Sequence, residues 1–174
     1  QLAAAGAKVT ALDRSEPRMT RVRENLSRCG LTAEIVVADA LEWDGGGGFD
    51  AILLDAPCSA TGTIRRHPDL PQAKDGAEFM GLFALQAALI DRAVALLRPG
   101  GRLVYCTCSI LPDEGEVQLA EALERHGDMA LDEDALARPG VDPAWRADGG
   151  LRLMPDLWPD LGGMDGFFVA ALCK

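Results

Sequence analysis

The stretch FDAILLD (residues 49–55), followed by APCSATG (56–62), decides how this chain is read. Its first half is a short apolar run closed by an acid. Its second half places a thiol, Cys58, directly behind a proline. A run rich in Ile and Leu that stops at Asp-Ala-Pro is the signature of a strand in a sheet covered on both faces. KVTALD (8–13), AEIVVAD (33–39) and GRLVYCTC (101–108) read the same way, and the last also ends in a thiol, Cys108.

Helical patterns lie between these runs. Residues 16–29 place Met19, Val22 and Leu26 on one stripe, with Ser15 as N-cap, Pro17 in the first turn and Gly30 past the end. From about 77 to 98, Phe79, Leu82, Phe83, Leu89, Ile90, Val94 and Leu97 recur at helical spacing until RPGG ends the helix. A third helix follows Pro112, with Val117, Ala120 and Leu123 inward and Gly127 at its end. Strands alternating with helices predict an α/β fold, a mostly parallel sheet with helices on both faces. GGGG (45–48) reads as a turn, 132–163 as a long irregular connection, and DGFFVAALCK (165–174) as a final strand. QLAAAG (1–6) reads as the last turn of a helix feeding a strand, so the chain is expected to begin inside a domain. One domain over 1–174 is expected, without repeats.

Bulk properties narrow the partners. The formal net charge is −10, and an acidic chain is a poor stand-alone binder of nucleic acid. A nucleic-acid enzyme therefore needs a local basic patch here; otherwise the acidity simply serves solubility. Five unevenly spaced cysteines do not resemble a secreted disulfide framework, which points to the cytoplasm. No apolar run approaches a membrane span, and no membrane partner is expected.

In open α/β sheets, ligands bind beyond the carboxyl ends of the strands. Those ends carry Asp13, Asp39, Asp55 and Cys108, with Cys58 just after Asp55. Asp13 either caps the next helix or grips a ribose hydroxyl pair; Asp39 either forms a turn or meets an adenine amino group. Asp55 either makes an Asx-type turn or stands beside reacting groups. Cys58 and Cys108 are either small buried hydrophobes or working thiols. Cys106 lies two residues before Cys108, on the same face by period alone. Three such thiols invite a metal, but there are no paired CxxC knuckles and only two His, so none is expected.

Taken together, LLDAPCSATGTIRRHPD (53–69) and GGRLVYCTCSILPDEGE (100–116) resemble the RNA cytosine-C5 methyltransferases that use S-adenosylmethionine. ATGTIRRHPD and the closing DGFF are most similar to the bacterial RsmB/Sun (Fmu) 16S rRNA branch. The likeness spans 1–174 and implies a Rossmann-like class I methyltransferase fold. It also implies that Cys108 is the nucleophile, that Cys58 releases product, and that Asp55 contacts both the target cytosine and the cofactor. Asp13, Arg18 and Asp39 match cofactor-side positions, for S-adenosylmethionine. Arg65, Arg66 and His67 directly follow the Cys58 loop and supply the basic patch for ribosomal RNA; otherwise they are a solvated loop. The whole protein is expected to be monomeric.

The chain also departs from the family pattern. The Gly-rich cofactor loop, its lysine and the first strand belong before Gln1, as does the N-terminal RNA-binding domain usual in this branch. Residues 1–174 alone are thus expected to bind cofactor weakly and to be inactive. The strands ending at Asp13 and Asp55 are expected to expose backbone unless another segment fills the gap. LPQAKDG (70–76) lacks the Trp common there, and Cys106 stands where Ala or Ser is common.

The chemistry suits these groups. Carbon 5 of cytosine is a weak nucleophile until a thiolate adds at carbon 6. A partly buried Asp55 near ring N3 would favour that addition. A base must then remove the carbon-5 proton so that Cys108 leaves. Pro57 directs the loop, and small Ser59, Ala60 and Gly62 are expected to let RNA come close. The alternatives are a tRNA or DNA cytosine-C5 methyltransferase, the latter with Cys58 as nucleophile, or a non-catalytic binding module.

Overall fold

Between Gln1 and Gly45 the chain builds one small unit, and between Gly46 and Lys174 a second. The computed structural model describes residues 1–73 and 76–174; Lys74 and Asp75, within LPQAKDG, lie outside the described residues.

The first unit opens on a single helical turn, in which the Ala5 N–H donates to the Gln1 carbonyl at 2.9 Å. Gly6 ends that turn at φ +89°, a conformation open to glycine at little cost. Strand β1 (Thr10–Asp13) runs parallel to β2 (Glu34–Val37), with Asp13 opposite Val37. Helix α1 (Glu16–Arg28) joins them. The Ser15 hydroxyl accepts from the Arg18 N–H, and Gly30 closes the helix at φ +64°. Met19 anchors its inner face, only 2 % exposed.

The second unit carries the larger sheet, in the order β3 (Phe49–Asp55), β4 (Leu97–Thr107), β8 (Phe167–Cys173), β7 (Gly150–Leu153) and β6 (Arg146–Ala147). Strand β3 (Phe49–Asp55) pairs in parallel with β4 (Leu97–Thr107), setting Asp55 opposite Cys106. The intervening elements are α2 (Leu70–Ala73) and α3 (Phe79–Leu96). After β4 come α4 (Glu116–Arg125), β5 (Ala130–Leu131), α5 (Glu133–Leu136), β6 (Arg146–Ala147), β7 (Gly150–Leu153) and β8 (Phe167–Cys173). β8 runs antiparallel to β4, to β5 and to β7.

The strand–helix–strand segments are parallel, as their connections require. Antiparallel pairs are added by the C-terminal third. There 132–163, expected to be irregular, holds α5 and the β6–β7 hairpin (Arg146 opposite Leu151). Its strands are too short to show a period. Coverage also differs from expectation. Along β3, Ala51, Leu53 and Asp55 alternate as exposed positions, and Leu53 is 58 % exposed. β3 bonds to β4 alone and β1 to β2 alone among the described residues, so each has an unpaired edge.

The core of this unit joins Leu103, Tyr105, Phe168, Ala170 and Leu172 of the sheet to Ile90, Ala93 and Val94 of α3 and Leu119 and Ala122 of α4. Truncating fully buried Leu103 to Ala is expected to cost about 2–5 kcal/mol. The inward stripe of α4 is Gln118, Leu119 and Ala122, whereas Val117 is 40 % exposed and Ala120 is also outside. A pattern scored on apolarity places Gln118 outside. Its amide nitrogen in fact donates to the Phe83 and Asp113 carbonyls. Helix α3 is long and apolar enough to cross a bilayer by composition. Here its inner face is core, and its Asp91 binds Arg125 and His126 of the neighbouring α4 segment.

Candidate active site

Parallel pairing sends the carboxyl ends of β3 and β4 in one direction, and the two thiols meet there. The ladder continues one residue beyond β3, where the Ala56 N–H donates to the Cys106 carbonyl at 3.0 Å. Pro57 has no N–H and ends it. The loop turns through Ala60, held in the left-handed region at φ +58°, and returns when the Gly62 N–H donates to the Cys108 carbonyl at 3.0 Å. Bracketed in this way, Cys58 places its Sγ 3.4 Å from the Sγ of Cys108.

The two sulfurs differ sharply in proton affinity. The hydrogen bond between the two thiols lowers Cys108 to about 7 against the opposing effects of burial and the Asp55 charge. The same bond, then burial, raises Cys58 well above the ordinary thiol range. These effects favour the thiolate on Cys108 and the proton on Cys58. Cys106 is pushed up to about 12, first by burial and then by Asp55. Its Sγ lies 3.8 Å from Asp55 Oδ1. All five cysteines are free, and among the described residues no cluster of three or more His, Cys, Asp or Glu is arranged to hold a metal.

Two expectations about this loop are corrected. Asp55 is exposed, not partly buried, because it falls on the open face of β3 with Leu53. The space at Gly62 is taken by the protein's own backbone: an added Cβ would lie 2.0 Å from the Gly166 carbonyl oxygen. Ser59, likewise, is fully buried against the protein interior.

Several site residues are not evident in the sequence. Glu114 is 0 % exposed and accepts the Ser59 N–H at 2.8 Å and the Ser59 hydroxyl at 2.5 Å. Gln86 donates both to Glu114, at 3.1 Å, and to the Pro57 carbonyl, at 2.9 Å. The hydroxyls of Thr61 and Ser109, 3.0 Å apart, extend the network to the Ile110 and Leu111 N–H groups. Arg152 of β7 donates to the Ser109 carbonyl, grips Glu116 with two nitrogens and lies 4.9 Å over the Phe168 ring. The acid-rich PDEGE (112–116) after the second thiol was the available signal for Glu114. Arg152 had none, since its strand was itself unread.

Arg65 and Arg66 sit beyond the loop, half-exposed, and share one acid. Arg66 reaches Asp165 at 2.6 Å and Arg65 reaches it at 3.6 Å. The patch with exposed His67 is therefore real but partly neutralised.

In the first unit Asp13 stands at the end of β1. Its Oδ1 accepts the Ser15 N–H at 2.7 Å, and its Oδ2 pairs with exposed Arg18 at 3.3 Å. Asp39, after β2, accepts the Leu41 N–H at 2.9 Å. A carboxylate has about four acceptor positions, so each retains capacity for hydroxyl or amino donors. Ribose hydroxyls or an adenine amino group would need acceptors of this kind.

Comparison with known proteins bears on this arrangement. A family model described as 16S rRNA methyltransferase RsmB/F matches residues 1–173. The ribosomal RNA small subunit methyltransferase B of Erwinia tasmaniensis is 43 % identical over 176 aligned positions, covering 99 % of this chain and 38 % of that protein. Its Vibrio cholerae counterpart is 44 % identical, covering 96 % of this chain and 36 % of its own. The chain thus spans well under half the length of these relatives. NSun6 from Pyrococcus horikoshii, solved with SFG, superposes with a TM-score of 0.80 at 30 % identity, over 97 % of this chain and 41 % of that one. A methyltransferase homologue from the same organism gives 0.75 at 30 % identity, over 97 % and 53 %. The fold is the Rossmann-like one of methyltransferases for which S-adenosylmethionine is the methyl donor. With a family model matched along nearly its whole length, this chain belongs to the RsmB/F family of 16S rRNA methyltransferases.

Proposed function

We propose that the protein carrying this chain methylates carbon 5 of a cytosine in 16S ribosomal RNA, through a covalent bond between Cys108 and carbon 6. The observation that carries the reading is the 3.4 Å pair of sulfurs with unequal proton affinities. S-adenosylmethionine supplies an electrophilic methyl group. Asp13, Arg18 and Asp39 of the first unit would hold its nucleoside part.

The Cys108 thiolate adds to carbon 6, and the ring's double-bond electrons become available at carbon 5 for the methyl group. Asp55, at the end of β3, would accept a hydrogen bond from the exocyclic amino group of the pyrimidine. Once Cys108 is bonded to carbon it is a neutral thioether. The partner that kept Cys58 protonated is gone, so Cys58, which is only partly buried, more readily releases its proton to solvent. As a thiolate it removes the carbon-5 proton; the double bond re-forms and Cys108 departs with the bonding pair. The proton on Cys58 then again faces a Cys108 thiolate. This order of events favours Cys108 over Cys58 as nucleophile, and so RNA-type over DNA-type chemistry.

The target base must leave its stack to reach the thiols. Arg65, Arg66 and His67 would contact the flanking phosphates.

The test uses the full-length protein with its RNA substrate and S-adenosylmethionine, read on denaturing gels. Cys58→Ala is expected to accumulate a covalent RNA complex and Cys108→Ala to form none. The reverse pattern refutes the assignment.

A further inference from the structure

Glu114 performs no step in the reaction proposed above, yet it is fully buried beside the reacting thiols. A carboxylate removed from water is costly unless its oxygens are satisfied. Here the satisfying donors are concentrated around one residue. Ser59 gives both its N–H and its hydroxyl, and Gln86 ties the Pro57 carbonyl to the same carboxylate. The residues on either side of Cys58 are thus fastened to a single group.

Glu114 is itself fastened to the strand that leads to Cys108. Its backbone carbonyl accepts the Tyr105 hydroxyl at 2.8 Å and the Thr107 hydroxyl at 3.0 Å. Gly115 lets the chain pass this point, since a Cβ there would meet Arg152 at 2.4 Å and Phe168 at 2.8 Å. Glu114 therefore braces the Cys58 loop against the Cys108 strand.

We propose that Glu114 is a positioning residue: its carboxylate, through Ser59, sets where the Cys58 thiol lies over Cys108. The inference rests on the proposed reaction, in which Cys58 acts only from that place. It reaches further, because a backbone-tethered thiol is held more closely than side-chain packing alone would hold it.

Two variants of the full-length protein test this. Glu114→Gln keeps the shape but turns one acceptor into a donor. Ser59→Ala removes only the hydroxyl on the other side and decides the matter if Glu114→Gln does not fold. Misplacing a reacting group by about 1 Å costs about 100-fold. Each variant is expected to lower turnover on that order and to accumulate the covalent RNA complex, as Cys58→Ala does. Turnover within a few-fold of the parent, without accumulation, overturns the proposal. If Cys58→Ala itself traps nothing, the reaction fails while the brace is still readable by iodoacetamide alkylation.

That second readout separates position from charge. The Glu114 charge raises the proton affinity of both thiols, so its removal alone would lower the midpoint for Cys108 alkylation. Loss of the Cys58 hydrogen bond would raise it. An upward shift from about 7 in Glu114→Gln supports the brace; an unchanged or lower midpoint overturns it.

Discussion

The sulfur of Cys58 lies 3.4 Å from that of Cys108, and the hydrogen bond between them divides one thiol pair into a proton holder and a thiolate. Alkylation of Cys108, followed residue by residue by mass spectrometry, is expected to rise with pH through a midpoint near 7. In Cys58→Ala the donor is gone and the midpoint should climb toward the ordinary thiol value, about 8.5. Covalent complex formation by that variant should therefore be slow at neutral pH, although the complex persists. The depressed pKa of Cys108 contributes stability that is lost as pH falls from the ordinary thiol range through about 7, whereas the raised pKa of Cys58 opposes it above that range. A midpoint unmoved by Cys58→Ala would mean that the hydrogen bond does not set the thiolate.

Gly62 is where the loop and the rest of the unit press together. Its N–H binds the Cys108 carbonyl, its own carbonyl accepts the Gly166 N–H at 2.7 Å, and a Cβ would lie 2.0 Å from the Gly166 oxygen. Backbone meets backbone here, so no flexible side chain can yield. Gly62→Ala is expected to destabilise by at least about 1–3 kcal/mol, visible as a lower Tm of the full-length protein. Gly127→Ala, with nothing within 4 Å of the added carbon, is the control and should stay within about 0.5 kcal/mol.

Strands and thiols were legible for different reasons. FDAILLD was read to the residue because its apolar run is bounded by Gly on one side and Ala-Pro on the other. KVTALD and AEIVVAD extend past the strands they contain, since pairing covers only Thr10–Asp13 and Glu34–Val37. β7 and its Arg152 are not legible in the sequence, because GLRL (150–153) is too short to carry a period of its own. They become a strand only when β8 offers an edge. Glu114 was hidden for a related reason. An acid in a Pro-Asp-Glu-Gly run reads as a solvated turn, and only the tertiary fold brings Ser59 and Gln86 to it.

The arginines beside the loop share an acid that an incoming phosphate would have to displace. Arg66 holds the Asp165 carboxyl below the usual carboxylate range by hydrogen bonding, aided by its charge and by Arg65. Asp165→Asn should free both guanidinium groups. RNA affinity of the full-length protein is expected to rise, and the dependence of log K on log salt should steepen by about 0.7 for each new single-strand phosphate contact. Arg66→Ala should do the opposite. If Asp165→Asn leaves affinity and salt slope unchanged, these arginines serve the loop and not the RNA.

Cys106 is the remaining thiol on this edge, and its surroundings keep it silent. Burial, with the Asp55 carboxylate beside it, pushes it up to about 12, so at neutral pH it stays a thiol with its Sγ aimed at Asp55 Oδ1. In the proposed reaction it is therefore a poorer nucleophile than Cys108, which is lowered to about 7. Cys106→Ala is expected to keep turnover within a few-fold of the parent. In combination with Cys58→Ala it should still trap the covalent RNA complex. Peptide mapping of that complex should find the nucleotide on Cys108. A complex that disappears with Cys106→Ala, or that maps to residue 106 in the Cys58→Ala single variant, would show that the thiolate beside Asp55, and not the one beside Cys58, attacks the base.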